Sequence, residues 1–211
     1  MSLANPHAYR RESVTGLVLA GGQARRMGGI DKGLVEIAGR PMIEHVLEAL
    51  RLQVGTVMIN ANRNLEAYRR YGYPVVPDAL GGFLGPLAGT LTALERIDTE
   101  YLLTVPCDSP LLAPDLAQRM AAAAAAADAE VTVAHDGERQ QPVFLLLRRD
   151  LAGSLRAFLA AGERKIDRWF AGHRLAEADL ADRTASFVNV NDPAERERVE
   201  ALLLQSRPSP V

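Results

Sequence analysis

Short apolar runs alternate along this chain with stretches whose apolar positions recur every three to four residues, a rhythm that predicts strand and helix in turn. Residues 14–19 predict a first buried strand. Residues 41–53 open with Pro41 at a first helical position and carry Ile43, Val46, Leu47 and Leu50 at helical spacing. Residues 57–59 predict a second strand ending at Asn60, and residues 75–76 a third ending near Asp78. A helix over 87–97 is entered through Gly85-Pro86, and a fourth strand over 101–105 ends at Cys107-Asp108. The next helix spans 114–127, where the alanines from Ala121 are strong helix formers with a thin side-chain layer. Strands over 131–134 and 143–147 are joined through His135-Asp136-Gly137, helices follow over 151–161 and 166–170, and a strand over 186–190 and a helix over 193–204 close the chain. Alternating elements of this kind imply an α/β fold with three α/β/α layers and a mostly parallel, doubly wound sheet. The expected organisation is a single domain over 14–205, with flexible termini at 1–13 and 206–211, and no internal repeat.

Composition narrows the class without naming a function. A chain of 211 residues suits one α/β domain and can bury ~70% of its unfolded surface. A formal net charge of −2 argues against a general nucleic-acid binder, so an anionic ligand must be met by local cations. The lone Cys107 excludes an intramolecular disulfide and a four-cysteine metal site, and a reducing cytoplasm fits. No stretch has the length of a membrane span and the start MSLANPHAYRRES has no apolar signal core, so neither a membrane nor export is expected. His7, His45, His135 and His173 have no metal-ligand spacing, which disfavours zinc.

Ligands in open α/β sheets bind outside the carboxyl ends of the strands, and here those ends carry the polar and glycine-rich segments. The first is LAGGQARRMGGIDKG, residues 19–33. Gly21, Gly22, Gly28 and Gly29 let backbone N–H groups approach an anion, while Arg25, Arg26 and Lys32 supply charge for a triphosphate. Neither GxxxxGK[ST] nor GxGxxG occurs, which disfavours a P-loop enzyme and a dinucleotide-dependent oxidoreductase. Asp108 in VPCDSP is placed to hold Mg²⁺ against phosphates, although an aspartate there also caps turns. Asp78 follows the same strand-end logic. Asn60 can read a base or ribose with its amide or make an Asx-turn, a choice that Asn62 and Asn64 leave open. Gly81, Gly82, Gly85 and Gly89 around Pro86 can admit a flat base or serve packing at the helix start. Asn189 and Asn191 in FVNVNDP fall on one face of the predicted closing strand, with Asp192 capping the helix behind it. A nucleophilic role for Cys107 is disfavoured because no histidine lies near it in sequence.

Together LAGGQARRMGGIDKG, VMINANRN, GPLAG, VPCDSP and FVNVNDP, in this order and spacing, resemble the molybdenum cofactor guanylyltransferase family. The likeness runs from about Gly16 to the closing helix; one departure is Ser109, where a threonine is common. It implies a Rossmann-like fold of the nucleotide-diphospho-sugar transferase kind. It also implies GMP transfer from GTP to the terminal phosphate of Mo-molybdopterin, with release of pyrophosphate. Nucleotide-binding roles would fall on Leu19, Ala20, Gly21, Lys32, Asn60, Asp78 and Asp108, with Gly22, Gly85, Pro86 and Leu87 beside them and Mg²⁺ at Asp108. Lys32, Arg25, Arg26 and Asp108 are the expected catalytic set. Asn189 and Asn191, with Arg164 and Lys165 as weaker candidates, would hold the pterin partner. The expected state is a cytoplasmic monomer or weak homo-oligomer making transient contacts with other cofactor-biosynthesis proteins or target molybdoenzymes. Rival readings are transfer to a sugar phosphate, use of CTP, and a nucleotide-binding regulator without catalysis.

Overall fold

In the computed structural model, residues 9–21, 31–80, 85–190 and 192–205 are described. The chain runs β1 (Val14–Leu19), β2 (Glu36–Ile37), β3 (Arg40–Pro41), α1 (Met42–Arg51), β4 (Thr56–Asn60), α2 (Leu65–Arg69), β5 (Val75–Val76), α3 (Pro86–Leu94), β6 (Tyr101–Pro106) and α4 (Leu116–Ala127). It continues through β7 (Val131–His135), β8 (Gln140–Arg148), α5 (Ala152–Ala160), α6 (Ile166–Phe170), β9 (Leu175–Asp179) and α7 (Pro193–Gln205). Seven strands form one sheet in the order β5-β4-β1-β6-β8-β7-β9, and β8 alone among them runs against its neighbours. The mostly parallel, doubly wound sheet expected from the alternating pattern is therefore present.

Burial on both faces explains the continuous apolar runs of β1 and β6. On one face α1, α2 and α4 cover the sheet through Ile43, Val46, Leu50, Tyr68, Leu116 and Met120. On the other, α3, α5 and α6 pack through Leu87, Leu91, Leu94, Leu155, Leu159 and Trp169. Gly16 in β1 marks how close α1 comes, because a Cβ there would stand 2.7 Å from Leu50 Cδ2. The alanine run is helical, as its propensity predicts, and buries Ala117 and Ala124 while α4 lies across β7, β8 and β9.

Several expectations are corrected. Pro41 ends the small β2–β3 hairpin and stands just ahead of α1, so it is not a helical residue. The hairpin itself, turned by Ala38 and Gly39 at positive φ, is too short for a period of two to register in sequence. Residues 186–190 form no strand. A 3₁₀ segment, Ala181–Phe187, leads instead into extended backbone whose Val190 N–H donates to the Asp108 carbonyl at 3.0 Å. Its valines join Ile37, Met42, Val199 and Leu203 in a satellite cluster under α7, so their burial has a cause other than the sheet. The edge position belongs to β9, which pairs parallel with β7. Among the described residues no helix is long and apolar enough to cross a membrane.

Candidate functional site

Four parallel neighbours, β5, β4, β1 and β6, end on the same side and set their carboxyl-terminal residues in a row. Ala20 N–H donates to the Asn60 carbonyl at 2.8 Å, Cys107 N–H to the Leu19 carbonyl at 3.1 Å and Ala61 N–H to the Val76 carbonyl at 3.2 Å. These bonds extend the ladder past the strands and fix Leu19, Ala20, Asn60 and Asp108 side by side. Strand order reverses direction between β1 and β6, so their junction is the switch-point crevice where such sheets bind ligands.

At that junction Lys32 Nζ donates to Asp108 Oδ2 at 3.0 Å, with the two side chains 22% and 16% exposed. The cation and carboxylate singled out in sequence thus meet, although they lie on different loops. Among the described residues no group of three or more His, Cys, Asp or Glu could hold a metal by itself. A single partly exposed carboxylate nevertheless fits a hard divalent ion that completes its shell with substrate oxygens and water. Asp108 is the residue that would hold it.

At the other end of the row Asn60 is buried and its amide faces inward, donating to the Val76 carbonyl at 3.0 Å and to Asp78 Oδ1 at 2.9 Å. Asn62 donates to Asp78 Oδ2 at 2.8 Å and accepts from the Asp78 N–H at 2.8 Å. Two amides therefore orient one partly exposed carboxylate, which leaves Asp78 as the acceptor aimed by this corner. Gly21 lies against both amides, 3.1 Å and 3.3 Å from them at the position of a Cβ, and Gly89 of α3 is closer still, at 2.2 Å from Asn60 Oδ1. Glycine at 89 is thus required by Asn60. Gly85 takes φ +71 and Pro86 starts α3, as a glycine-proline helix entry should. The Leu87 side chain is fully buried in the core, so any contact it makes with a ligand must come from its backbone.

Asn189 is exposed and reaches the site through Ser109, whose hydroxyl donates to Asn189 Oδ1 at 2.7 Å. The closing strand expected to carry Asn189 is absent, because residues 188–190 do not pair into the sheet. Asp192 does cap α7, accepting the Glu195 N–H at 2.8 Å. Arg164 donates to the carbonyls of Leu159 and Glu163 at 2.8 Å and 2.5 Å, closing the end of α5, which favours a capping role over a ligand-binding one. Gly22, Arg25, Arg26, Gly28, Gly29, Gly81, Gly82 and Asn191 lie outside the described residues.

Cys107 is buried, and burial holds its thiol well above the ordinary range, so it stays protonated and is no nucleophile near neutral pH. Residues not singled out in sequence also shape the site. Asp31, buried at 9% exposure, accepts hydrogen bonds from the Tyr68 hydroxyl and from Asn64 Nδ2 at 3.0 Å. The spacing of Asn64 and Tyr68 was the available signal, but α2 is a five-residue helix, shorter than a helical period can reveal.

Comparison with known proteins bears on the family and the fold. The MobA-like NTP transferase domain family matches residues 16–178. A molybdenum cofactor guanylyltransferase of Shewanella sp. (strain ANA-3) is 54% identical over 193 residues, covering 92% of this chain and 98% of that protein. Another, from Shewanella loihica (strain ATCC BAA-1088 / PV-4), is 53% identical over 186 residues, covering 88% and 95%. The solved structure of molybdopterin-guanine dinucleotide biosynthesis protein A from Archaeoglobus fulgidus superposes with a TM-score of 0.75 at 21% identity, over 90% of this chain and 99% of that one, a likeness of fold. A row of polar strand-end residues, a lysine–aspartate pair at the switch point and this extent of identity lead to one conclusion: the chain belongs to the MobA-like NTP transferase domain family and is a nucleotidyltransferase.

Proposed function

We propose that the protein transfers GMP from GTP to the terminal phosphate of Mo-molybdopterin, giving the guanine dinucleotide form of the cofactor and pyrophosphate. The observation that carries this reading is the Lys32–Asp108 pair at the carboxyl end of β1 and β6, in a chain over half identical to guanylyltransferases of that cofactor along nearly its whole length. Three strand spacings of about 4.8 Å separate the Asp78 corner from the Asp108 corner, roughly 14 Å. GTP laid along the row puts guanine toward Asp78, where a carboxylate can accept N–H donors of the base, and its phosphates toward Lys32.

A terminal phosphate oxygen of the pterin attacks the α-phosphorus; the new P–O bond forms as the bond to pyrophosphate breaks in line. No protein nucleophile is needed, in keeping with the protonated, buried Cys107. Lys32 Nζ neutralises charge on the phosphates, the backbone after Leu19 orients them, and Arg25 and Arg26 of the same loop add charge. Mg²⁺ bound at Asp108 would supply further charge neutralisation for the departing pyrophosphate. Asn189, tied to Ser109 at 2.7 Å, would help hold the pterin acceptor, a role the sequence also suggests for Asn191 and, more weakly, for Lys165. The reaction belongs in the cytoplasm, with the protein a monomer or weak homo-oligomer that meets other cofactor-biosynthesis proteins transiently.

The test pairs GTP or CTP with molybdopterin or a sugar 1-phosphate and follows pyrophosphate release. Turnover is expected with GTP and molybdopterin; turnover confined to a sugar phosphate, or to CTP, would overturn the reading.

A further inference from the structure

The turn that presents Lys32 is held from below by a helix that touches no expected ligand. Asp31 is a buried carboxylate whose partners are two neutral donors, the Tyr68 hydroxyl and Asn64 Nδ2. Burying a carboxylate costs desolvation, which these hydrogen bonds work to offset. Its geometric effect is specific, however. Asp31 begins a 3₁₀ turn in which Leu34 N–H donates to its carbonyl at 3.0 Å and Val35 N–H to that of Lys32 at 3.1 Å. Gly33, inside the turn, leaves room for the Tyr68 hydroxyl, which would stand 2.6 Å from a Cβ at that position. Asn64, just ahead of α2, and Tyr68 within it both donate to Asp31 and so grip the turn together. The same α2 joins β4, which ends at Asn60 with Asn62 just beyond it, to β5, which leads to Asp78.

We propose that Tyr68 and Asn64 are positioning residues for the transfer step: through Asp31 they set the Lys32 turn so that its ammonium stands at the phosphate site beside Asp108. The inference rests on the reading of Lys32 as the phosphate-binding cation. Neither Tyr68 nor Asn64 need touch substrate. Because α2 touches β5 while Asn64 and Tyr68 hold Asp31, it ties the strand ends proposed for the base to the turn proposed for the phosphates.

Tyr68→Phe keeps the buried ring and removes only the hydroxyl that reaches Asp31. The expected result is a kcat lowered roughly ten- to hundredfold, as a small displacement of a charge-stabilising group allows, with KM for GTP within about twofold. Asn64→Ala should act in the same direction, more weakly. Ile97→Val, a mild core change ahead of β6, serves as a control of similar cost to stability and should leave kcat unchanged. A Tyr68→Phe enzyme with normal kcat, or with a loss no larger than that of Ile97→Val, or with KM alone raised, overturns the proposal. Lys32→Ala separates the two readings: if it is impaired while Tyr68→Phe is normal, only the positioning role fails, whereas full activity of Lys32→Ala removes the role of Lys32 itself.

Discussion

Gly89 illustrates how far a single atom is constrained here. A Cβ added to it would meet Asn60 Oδ1 at 2.2 Å and the amide nitrogen at 2.8 Å, inside a packed helix–strand contact. Gly89→Ala is therefore expected to cost about 1–3 kcal/mol by overpacking. It should also loosen Asp78, because Asn60 cannot yield without releasing that carboxylate. Thermal melting checks the first effect, and the ratio of GTP to ATP protection checks the second. Asp108→Asn keeps shape and removes charge; it should lower turnover by orders of magnitude at an unchanged melting temperature, and near-normal activity would rule out a charge-based role. Lys32 and Asp108 were legible in sequence because each follows an obvious strand and carries unmistakable chemistry. Asn62 and Tyr68 were not, since their roles are hydrogen bonds to residues distant in sequence.

Two joints between elements show how the site is kept in place. Gln53, buried just after α1, donates to the Ala113 carbonyl at 2.8 Å and accepts the Ala117 N–H at 3.0 Å, tying the end of α1 to the start of α4. Gln53→Ala leaves a buried donor and acceptor unmatched and should cost about 1–3 kcal/mol, read as a lower urea midpoint at unchanged slope. The β7–β8 turn is locked by Asp136, which accepts the Glu138 and Arg139 N–H groups at 2.9 Å and 2.8 Å and Gln141 Nε2 at 2.6 Å. Burial works to raise the pKa of this carboxyl, but the Arg139 and Glu138 N–H groups and Gln141 outweigh it and hold the pKa below the usual value. A depressed folded-state pKa contributes stability that is present above the unfolded value near 3.9 and lost as pH falls through the folded one. Amide exchange at the hairpin tip should accordingly stay slow at neutral pH, after correction for intrinsic rates, and lose protection below about pH 4; Asp136→Asn should flatten that dependence. The hairpin strands were visible as separate apolar runs, whereas β9 was hidden by the alternating charges of LAEAD, which suit an edge strand and a helix equally.

Across the whole molecule the row of strand ends predicts a linkage between nucleotide and stability. With Mg²⁺ present, GTP at a hundred times its dissociation constant should stabilise the fold by about 2.7 kcal/mol, a rise of several degrees in melting temperature for a chain of this size. ATP, CTP and UTP should protect less; equal protection by all four would show that the Asp78 corner does not select the base. What the amino-acid order determined alone was the alternation of strand and helix, and with it the carboxyl edge on which the residues proposed for the site fall. Periodicity and strand-end chemistry are local properties, readable wherever an element is long enough to repeat. Tertiary structure decided the rest: that residues 186–190 pack under α7 beside Asp108 and form no strand, that Asn60 faces inward, and that a five-residue helix grips the lysine turn. Those choices depend on partners tens of residues away, and no local pattern of apolar and polar positions encodes which buried donor will meet which acceptor.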